Sequence, residues 1–186
     1  MQTMATAQLK EEHQAILRFL KILDRVSAIL LADGVVSVDD LEQMLDFIRT
    51  FADRCHHGKE EDLLFGAMID AGIPKDRGPI GVMLSEHELG RQYVRGMAEA
   101  LSAYKAGDQK AAKRFAHNAQ GYTELLSQHI AKEDNILYPM ADNVLSAAQQ
   151  VALCEGFEKV ESERIGPGRH EAFHILLNKL EVEYLK

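Results

Sequence analysis

The sequence has no tryptophan and only two cysteines and four prolines among its 186 residues. Two cysteines, Cys55 and Cys154, cannot build the disulfide framework of a small secreted protein and are more typical of a reducing compartment. The first residues, MQTMATAQLKEEHQ, become polar too early for a signal peptide. We therefore expect a cytoplasmic protein.

Long apolar runs and an excess of positive charge are also lacking. No apolar stretch approaches the ~20 residues that a membrane-spanning helix needs. Lys and Arg number 21 against 29 Asp and Glu, and the resulting net charge of −8 disfavours nucleic acid. We expect neither a membrane nor nucleic acid as a partner, and the chain length suffices for one domain with a sizeable core.

The alternation of apolar and polar residues that is typical of β-strands is rare, whereas helical spacing continues over long stretches. Four such stretches are separated by short breaks, which favours antiparallel neighbours. We therefore predict an all-α fold, an up-down-up-down four-helix bundle over residues 1–145. Residues 146–186 are predicted as C-terminal helices packed on the bundle in the same domain, interrupted at residues 165–168. Ser37 and Ser146 are the predicted N-caps of the second and fifth helices, and the fourth helix is predicted to end near Pro139.

Two segments of the chain repeat one motif. HHGKEEDLLF, which begins at His56, aligns with HIAKEDNILY, which begins at His129. Each is H-x-x-x-E followed by an apolar run, so His56 and Glu60, and likewise His129 and Glu133, share one helical face. Two such helices facing each other would direct two imidazoles and two carboxylates at one point, which predicts a metal site.

The first and third helical stretches each add one histidine within an apolar stripe. His13 lies four residues from both Leu9 and Leu17, and His87 lies four residues after Met83. A single histidine on an apolar face is usually a core residue. Four of them, one per helix, together with two carboxylates that would be costly to bury unpaired, favour a bound cation.

His57 allows two interpretations. It follows a polar stripe that includes Thr50 and Arg54, which is typical of a solvated surface. At roughly 100° per residue, however, Glu60 lies angularly between His56 and His57. That position suits a carboxylate that bridges two metal ions, with one histidine on each ion.

Residues His170 to His174 spell H-E-x-x-H, the pattern of zinc proteases. The pattern stands on the short last helix, and no third ligand is evident in the few residues that follow it. We expect a helix packed across the bundle, with His174 partly buried, rather than a hydrolase. His117 has no apolar neighbours at helical spacing and is expected on the surface.

Imidazole combined with carboxylate, without cysteine, suits iron, zinc or manganese and disfavours a structural zinc site. With these motifs the sequence resembles the hemerythrin-like family, also called the hemerythrin HHE cation-binding domain. The resemblance rests on the pattern H…HxxxE…H…HxxxE and covers about residues 8–142. It implies a non-haem di-iron centre, two iron ions with an oxo or hydroxo bridge, and both glutamates as bridging ligands. The implied ligands are His13, His56, Glu60, His87, His129 and Glu133, with the first two histidines on one ion and the last two on the other.

The sequence departs from the oxygen-carrying members at two positions. They have a second histidine four residues away on the third helix, where Met83 and Arg91 flank His87 here. They also end the fourth-helix motif with Asp at +5, whereas Glu133 stands at +4. One nitrogen ligand of that pattern is therefore missing.

His57 is the candidate for the missing ligand. The alternatives are a solvent molecule, Tyr122, which lies seven residues before His129, and the C-terminal residues His170 and His174. An incomplete ligand shell disfavours simple reversible O2 carriage and favours peroxide, nitric oxide or iron turnover chemistry. We expect a small oxidant as the partner, in sensing, storage or detoxification, with a protein partner required for a sensor. A non-catalytic iron-handling or iron-sensing module is the alternative.

Overall fold

The computed structural model describes residues 4–166 and 168–186, and its regular elements there are all helical. The predicted all-α class is confirmed for that part of the chain. Within the described residues six continuous helices follow one another: α1 (Ala5–Leu31), α2 (residues 38–70), α3 (Pro79–Lys105), α4 (residues 111–144), α5 (residues 147–165) and α6 (Arg169–Tyr184). Helices α5 and α6 occupy the predicted C-terminal segment. Its expected interruption includes Pro167, which lies outside the described residues, as do residues 1–3.

Helices α2 and α4 change from α to π geometry where they carry the repeated motifs. The π-helical segments are Ile48–His57, Glu60–Leu64 and Glu133–Leu137. A π turn closes its hydrogen bond over five residues, so successive side chains are rotated less about the axis than in an α-helix. This is why His56 and His57 are both buried, although an α-helical register would turn the second one towards solvent.

The helix ends confirm both predicted caps and correct one other prediction. Ser146 and Gln149 form a capping box at the start of α5. Ser37 stands at the N-cap of α2 as predicted, although its side chain makes no capping hydrogen bond. The predicted end of α4 near Pro139 was wrong. Pro139 falls in the first turn of the α-helical segment after the π turn, where a missing N–H is tolerated, and the helix continues to Val144.

Among the described residues the core consists of two large apolar clusters with a polar layer between them, and a small third cluster of Cys55, Val160 and Ile165. On α1, Leu9 belongs to the smaller cluster and Ile16 to the larger; on α3, Met83 and Val94 are divided in the same way. The stretch between the clusters on each helix carries the buried histidines and carboxylates. The apolar layers therefore enclose the polar residues from both ends.

The C-terminal helices pack on only part of the structure. Helices α5 and α6 lie against α1 and α2, while α3 and α4 pack on each other. Phe173 and Leu177 of α6 join the larger cluster, and Phe157 of α5 joins the smaller one. None of the described helices combines the length and apolarity needed to cross a membrane.

Candidate metal centre

Seven buried side chains converge between the two apolar clusters, and they are the seven candidate ligands of the sequence analysis. Each is at most 4% exposed. They form two groups of four that share Glu60, and within a group the potential ligand atoms all lie within 4.8 Å of one another. The first group is His13, His56, Glu60 and Glu133, and the second is His57, Glu60, His87 and His129.

One pair of histidines in each group approaches through the Nε2 atoms. Nε2 of His13 lies 3.0 Å from Nε2 of His56, and Nε2 of His87 lies 3.0 Å from Nε2 of His129. Two nitrogens at right angles around one metal, each at the usual distance of about 2.1 Å, would be roughly 3 Å apart. The spacing of both pairs therefore suits coordination of a common ion.

Each glutamate lies between the two groups. Glu133 places Oε2 3.2 Å from Nε2 of His13 and Oε1 3.0 Å from Nε2 of His129. Glu60 places Oε2 3.8 Å from Nε2 of His56 and 3.5 Å from Nε2 of His87. Both carboxylates thus reach a histidine of each group, as a bridging ligand must.

Several polar atoms at this position have no hydrogen-bond partner among the described residues. They are Oε2 of Glu60, both carboxylate oxygens of Glu133 and both ring nitrogens of His57. Buried polar groups are nearly always hydrogen-bonded, because an unsatisfied one costs about 1–3 kcal/mol. A cation coordinated by these lone pairs would remove that cost, so the donor set suits a metal ion.

In each of the four histidines whose Nε2 atoms form these pairs, the other ring nitrogen, Nδ1, lies next to a carboxylate. The Nδ1 atoms lie 2.7–2.9 Å from acidic oxygens; the pairs are His13–Asp134, His56–Glu12, His87–Glu61 and His129–Glu86. A carboxylate on Nδ1 fixes the tautomer with a free Nε2 lone pair and raises the basicity of a ligating histidine. Sequence reasoning missed all four acids. Their positions in the sequence could have indicated them, because each of these acids directly precedes a candidate histidine or directly follows a candidate glutamate.

One arrangement of histidine, glutamate and lysine occurs in both halves of the chain. Glu12, on α1, accepts a hydrogen bond from Lys59 of the first motif, and Glu86, on α3, accepts one from Lys132 of the second. The environments differ, since Lys59 is buried at 2% exposure beneath Phe157 whereas Lys132 is 35% exposed. Helices α5 and α6 cover the first copy of the motif and leave the second nearer to solvent.

The protonation states of these residues follow from burial and charge. Burial and the proximity of His87 hold the pKa of His57 well below its usual range, and burial with the neighbouring His129 lowers the pKa of His87 to about 3. Both rings are therefore neutral at pH 7. Burial and the charge of Glu133 raise the pKa of Glu60 well above its ordinary value. For Glu133 burial acts in the same direction, but His129 outweighs it and the net pKa is lowered.

His57 lies in the interior. Its ring is 4% exposed and stacks on His87 with 3.8 Å between the centroids. Its Nδ1 lies 3.4 Å from Oδ1 of Asp53, but the geometry does not make a hydrogen bond. The surface position was inferred from a polar stripe by assuming α-helical geometry. Residues 48–57 are π-helical instead, so the stripe does not continue to His57.

The phenol next to the carboxylates belongs to Tyr138. Its hydroxyl donates to Oε1 of Glu60 at 2.7 Å and lies 3.2 Å from Nε2 of His13. Sequence reasoning considered Tyr122, which instead lines a cavity beside His57. The alignment of the two motifs could have indicated Tyr138, because this tyrosine stands where the first copy has a phenylalanine.

The H-E-x-x-H pattern does not converge on the site. His170 binds Oε1 of Glu161 through Nδ1 at 2.9 Å, and its ring stacks on His174 with 5.0 Å between the centroids. Among the described residues, neither histidine joins a potential metal-binding group. His117 is exposed, as predicted.

The sequence model described as "Hemerythrin HHE cation binding domain" matches residues 4–141. The chain belongs to the hemerythrin HHE cation-binding domain family. The family match includes all seven candidate ligands, and the buried His and Glu groups could hold a metal ion.

Curated relatives resemble most of this chain without naming a function. Uncharacterized proteins of Mycobacterium tuberculosis and Mycobacterium bovis are 29% identical over 162 residues, which is 87% of this chain. The matched region covers 63% of those proteins, so the HHE chain spans less than two thirds of their length. No solved structure matches it.

Proposed function

We propose that this HHE protein holds two iron ions, with Glu60 and Glu133 as bridging ligands. His13 and His56 would bind one ion, and His57, His87 and His129 would bind the other. The observation that carries the proposal is the pair of ligand groups that share Glu60, with unsatisfied carboxylate oxygens between them. Imidazole and carboxylate together suit iron.

The residues around the ligands would keep the site in a defined geometry. The four carboxylates on the Nδ1 atoms orient the imidazoles, and Lys59 and Lys132 fix two of those carboxylates in turn. The hydroxyl of Tyr138 positions Glu60 through its hydrogen bond. When bound, a pair of iron ions supplies redox chemistry and open positions for a small ligand.

We further propose that the protein binds or reacts with O2 or a related small oxidant such as peroxide or nitric oxide. The cavity lined by His57 and His87 supports this, because it gives a small molecule access to one side of the site. The role would be sensing, storage or detoxification.

For the architecture, we propose that α1–α4 form an up-down-up-down bundle over residues 1–145 and that residues 146–186 belong to the same domain. Short connections between the long helices support the bundle. The shared core supports the single domain, since Phe173, Leu177 and Leu180 belong to the same apolar cluster as Phe19 and Phe47.

The decisive experiment is metal analysis and optical spectroscopy of protein purified from iron-supplied cells. We expect two iron ions per chain and a near-ultraviolet absorption from an oxo-bridged ferric pair. The reduced protein should regain that absorption on exposure to O2 or peroxide. Zinc as the only bound metal would contradict the redox function, and a reduced iron site that is inert to O2, peroxide and nitric oxide would leave iron handling as the function.

A further inference from the structure

Arg91 of α3 joins two carboxylates of α2. Its Nε donates to Oδ1 of Asp53 at 2.9 Å, and its Nη2 donates to Oε1 of Glu61 at 2.7 Å. Nη2 also lies 2.8 Å from the same oxygen of Asp53. The three side chains are 24–33% exposed, and partly buried ion pairs are screened by salt less than exposed ones. The guanidinium therefore holds both carboxylates in place.

Both carboxylates also face candidate ligands of the second group. Oε1 of Glu61, the oxygen that Arg91 holds, lies 2.7 Å from Nδ1 of His87. Oδ1 of Asp53, the other oxygen that Arg91 holds, lies 3.4 Å from Nδ1 of His57. The two imidazoles stack on each other with 3.8 Å between the centroids. One guanidinium is therefore a single carboxylate away from two of the three histidines in the second group.

The distance from Asp53 to His57 is the exception among the imidazole–carboxylate pairs. The other four candidate histidines have a carboxylate oxygen 2.7–2.9 Å from Nδ1. Asp53 precedes His57 by four residues on the same helix, yet it makes no hydrogen bond to the ring. Its Oδ1 lies closer to two nitrogens of Arg91. Two N–H groups of a charged guanidinium compete for this oxygen with one neutral imidazole, and hydrogen bonds between charged groups are the stronger ones.

We propose that Arg91 is a positioning residue of the second metal position: by holding Asp53, it leaves His57 as the most weakly bound histidine ligand. The inference rests on the proposed function, because it takes His57 as a ligand of iron. A carboxylate on the nitrogen that faces away from the metal raises the basicity of a ligating histidine, and its loss costs about 10–100-fold in metal affinity. His57 also lines the cavity that reaches the site from solvent. It is therefore the ligand that solvent or a chelator displaces first.

The test measures how fast the iron-loaded protein loses iron to excess EDTA. In Arg91→Gln, Asp53 is released from the guanidinium and becomes available to His57, so we expect one of the two ions to be lost about tenfold more slowly. The reduction potential should fall as well, because a hydrogen bond that makes an imidazole more basic favours the ferric state. If Arg91 only supported the structure, its loss would instead speed up the release.

Two further variants identify Asp53 as the cause. In the double variant Arg91→Gln with Asp53→Asn, the release should no longer be slowed, so the effects of the two changes should not be additive. Asp53→Asn alone takes no hydrogen bond from His57. It should therefore change the release rate by less than the ~10-fold that losing an orienting carboxylate costs.

Arg95→Gln is the matched control. Arg95 lines the same cavity and pairs with Glu88 at 2.9 Å. Its replacement removes the same charge from the same face without freeing a carboxylate that faces a candidate ligand, so it should not slow the release of iron. Circular dichroism verifies the fold of every variant.

Faster or unchanged release in a folded Arg91→Gln variant would overturn the inference, and so would slower release that persists in the double variant. If Arg91→Gln does not fold, Asp53→Asn decides alone, since a release accelerated by more than about tenfold would show that Asp53 already orients His57. A wild type that holds two iron ions and gives any of these results overturns this inference alone. A wild type without iron would overturn the proposed function.

Discussion

At the scale of single residues, His57 differs from the other candidate ligands because no carboxylate fixes its ring. Both of its nitrogens are buried without a hydrogen-bond partner among the described residues, and His87 stacks on one face of the ring. A buried, neutral and unsatisfied imidazole beside Glu60 is the arrangement expected of a ligand whose partner is a metal ion.

We predict that His57→Ala lowers the iron content from two ions per chain towards one, with the helical content unchanged. The reason is the loss of one of the three nitrogens in the second group. Metal analysis and circular dichroism measure both quantities. His117→Ala, which changes an exposed histidine, should retain both ions. Full iron content and an unchanged spectrum in His57→Ala would show that another group completes the ligand shell.

Glu60 gives a pH dependence that the metal-free protein should reveal. Burial and the charge of Glu133 raise its pKa well above 4.5 in the folded state. Its contribution to stability is therefore fully present below the unfolded pKa and is lost as the pH rises through the folded pKa. Glu60→Gln, which stays neutral, should avoid this loss.

We predict that metal-free Glu60→Gln is more stable than the metal-free wild type at pH 8, and that the difference shrinks towards pH 4.5. At pH 8 the melting temperature of the variant should exceed that of the wild type by at least about 3 °C. A stability difference of ~1 kcal/mol produces such a shift in a chain of this size. Thermal melts across the pH range measure it, and Glu124→Gln at an exposed position is the control. A difference independent of pH would mean that Glu60 does not titrate in the metal-free protein.

At the scale of helices, the π-helical segments and the C-terminal helices determine how the site is enclosed. The π segment Ile48–His57 of α2 places the consecutive residues His56 and His57 in the interior, and such turns are frequent at functional sites. Helix α6 closes the larger cluster through Phe173, which lies edge-on to Phe47 and Phe51 with centroids 5.5 Å and 6.0 Å away.

We predict that Phe173→Ala lowers the free energy of unfolding by about 3–5 kcal/mol, the range for truncating a buried phenylalanine. Ile175→Ala on the same helix should change it by less than about 0.5 kcal/mol, because Ile175 is 62% exposed. Urea denaturation followed by circular dichroism compares the two variants. If α6 belongs to the same domain as the bundle, the whole transition should shift; an unchanged main transition would show that α6 unfolds separately.

At the scale of the whole molecule, the fold positions a polar layer that is costly without a cation. Two apolar clusters enclose buried glutamates whose oxygens lack hydrogen-bond partners in the described structure. A ligand that binds only the native state stabilises it by mass action, by about 3–4 kcal/mol at 100 to 1,000 times its dissociation constant.

We predict that removing the metal lowers the melting temperature by roughly 10 °C, the shift that such a stabilisation produces in a chain of this length. Differential scanning calorimetry of the loaded and the chelator-treated protein measures the change, and adding iron back should reverse it. An unchanged melting temperature would mean that Glu60 and Glu133 do not bind the ion.

The sequence by itself determined the all-α class, the family and six of the seven residues that converge, and it left His57 as an open candidate. Helical spacing and the repeated H-x-x-x-E motif are local properties, and they hold whatever the neighbouring helices do. Only the tertiary structure decided which carboxylate holds which imidazole, since Asp134 reaches His13 across 121 residues of sequence. It also decided that His57 is buried and that Tyr138 contacts Glu60, because the π register depends on packing that no periodicity of the sequence encodes. The opening of one metal group to a cavity and the covering of the other likewise depend on where α5 and α6 pack.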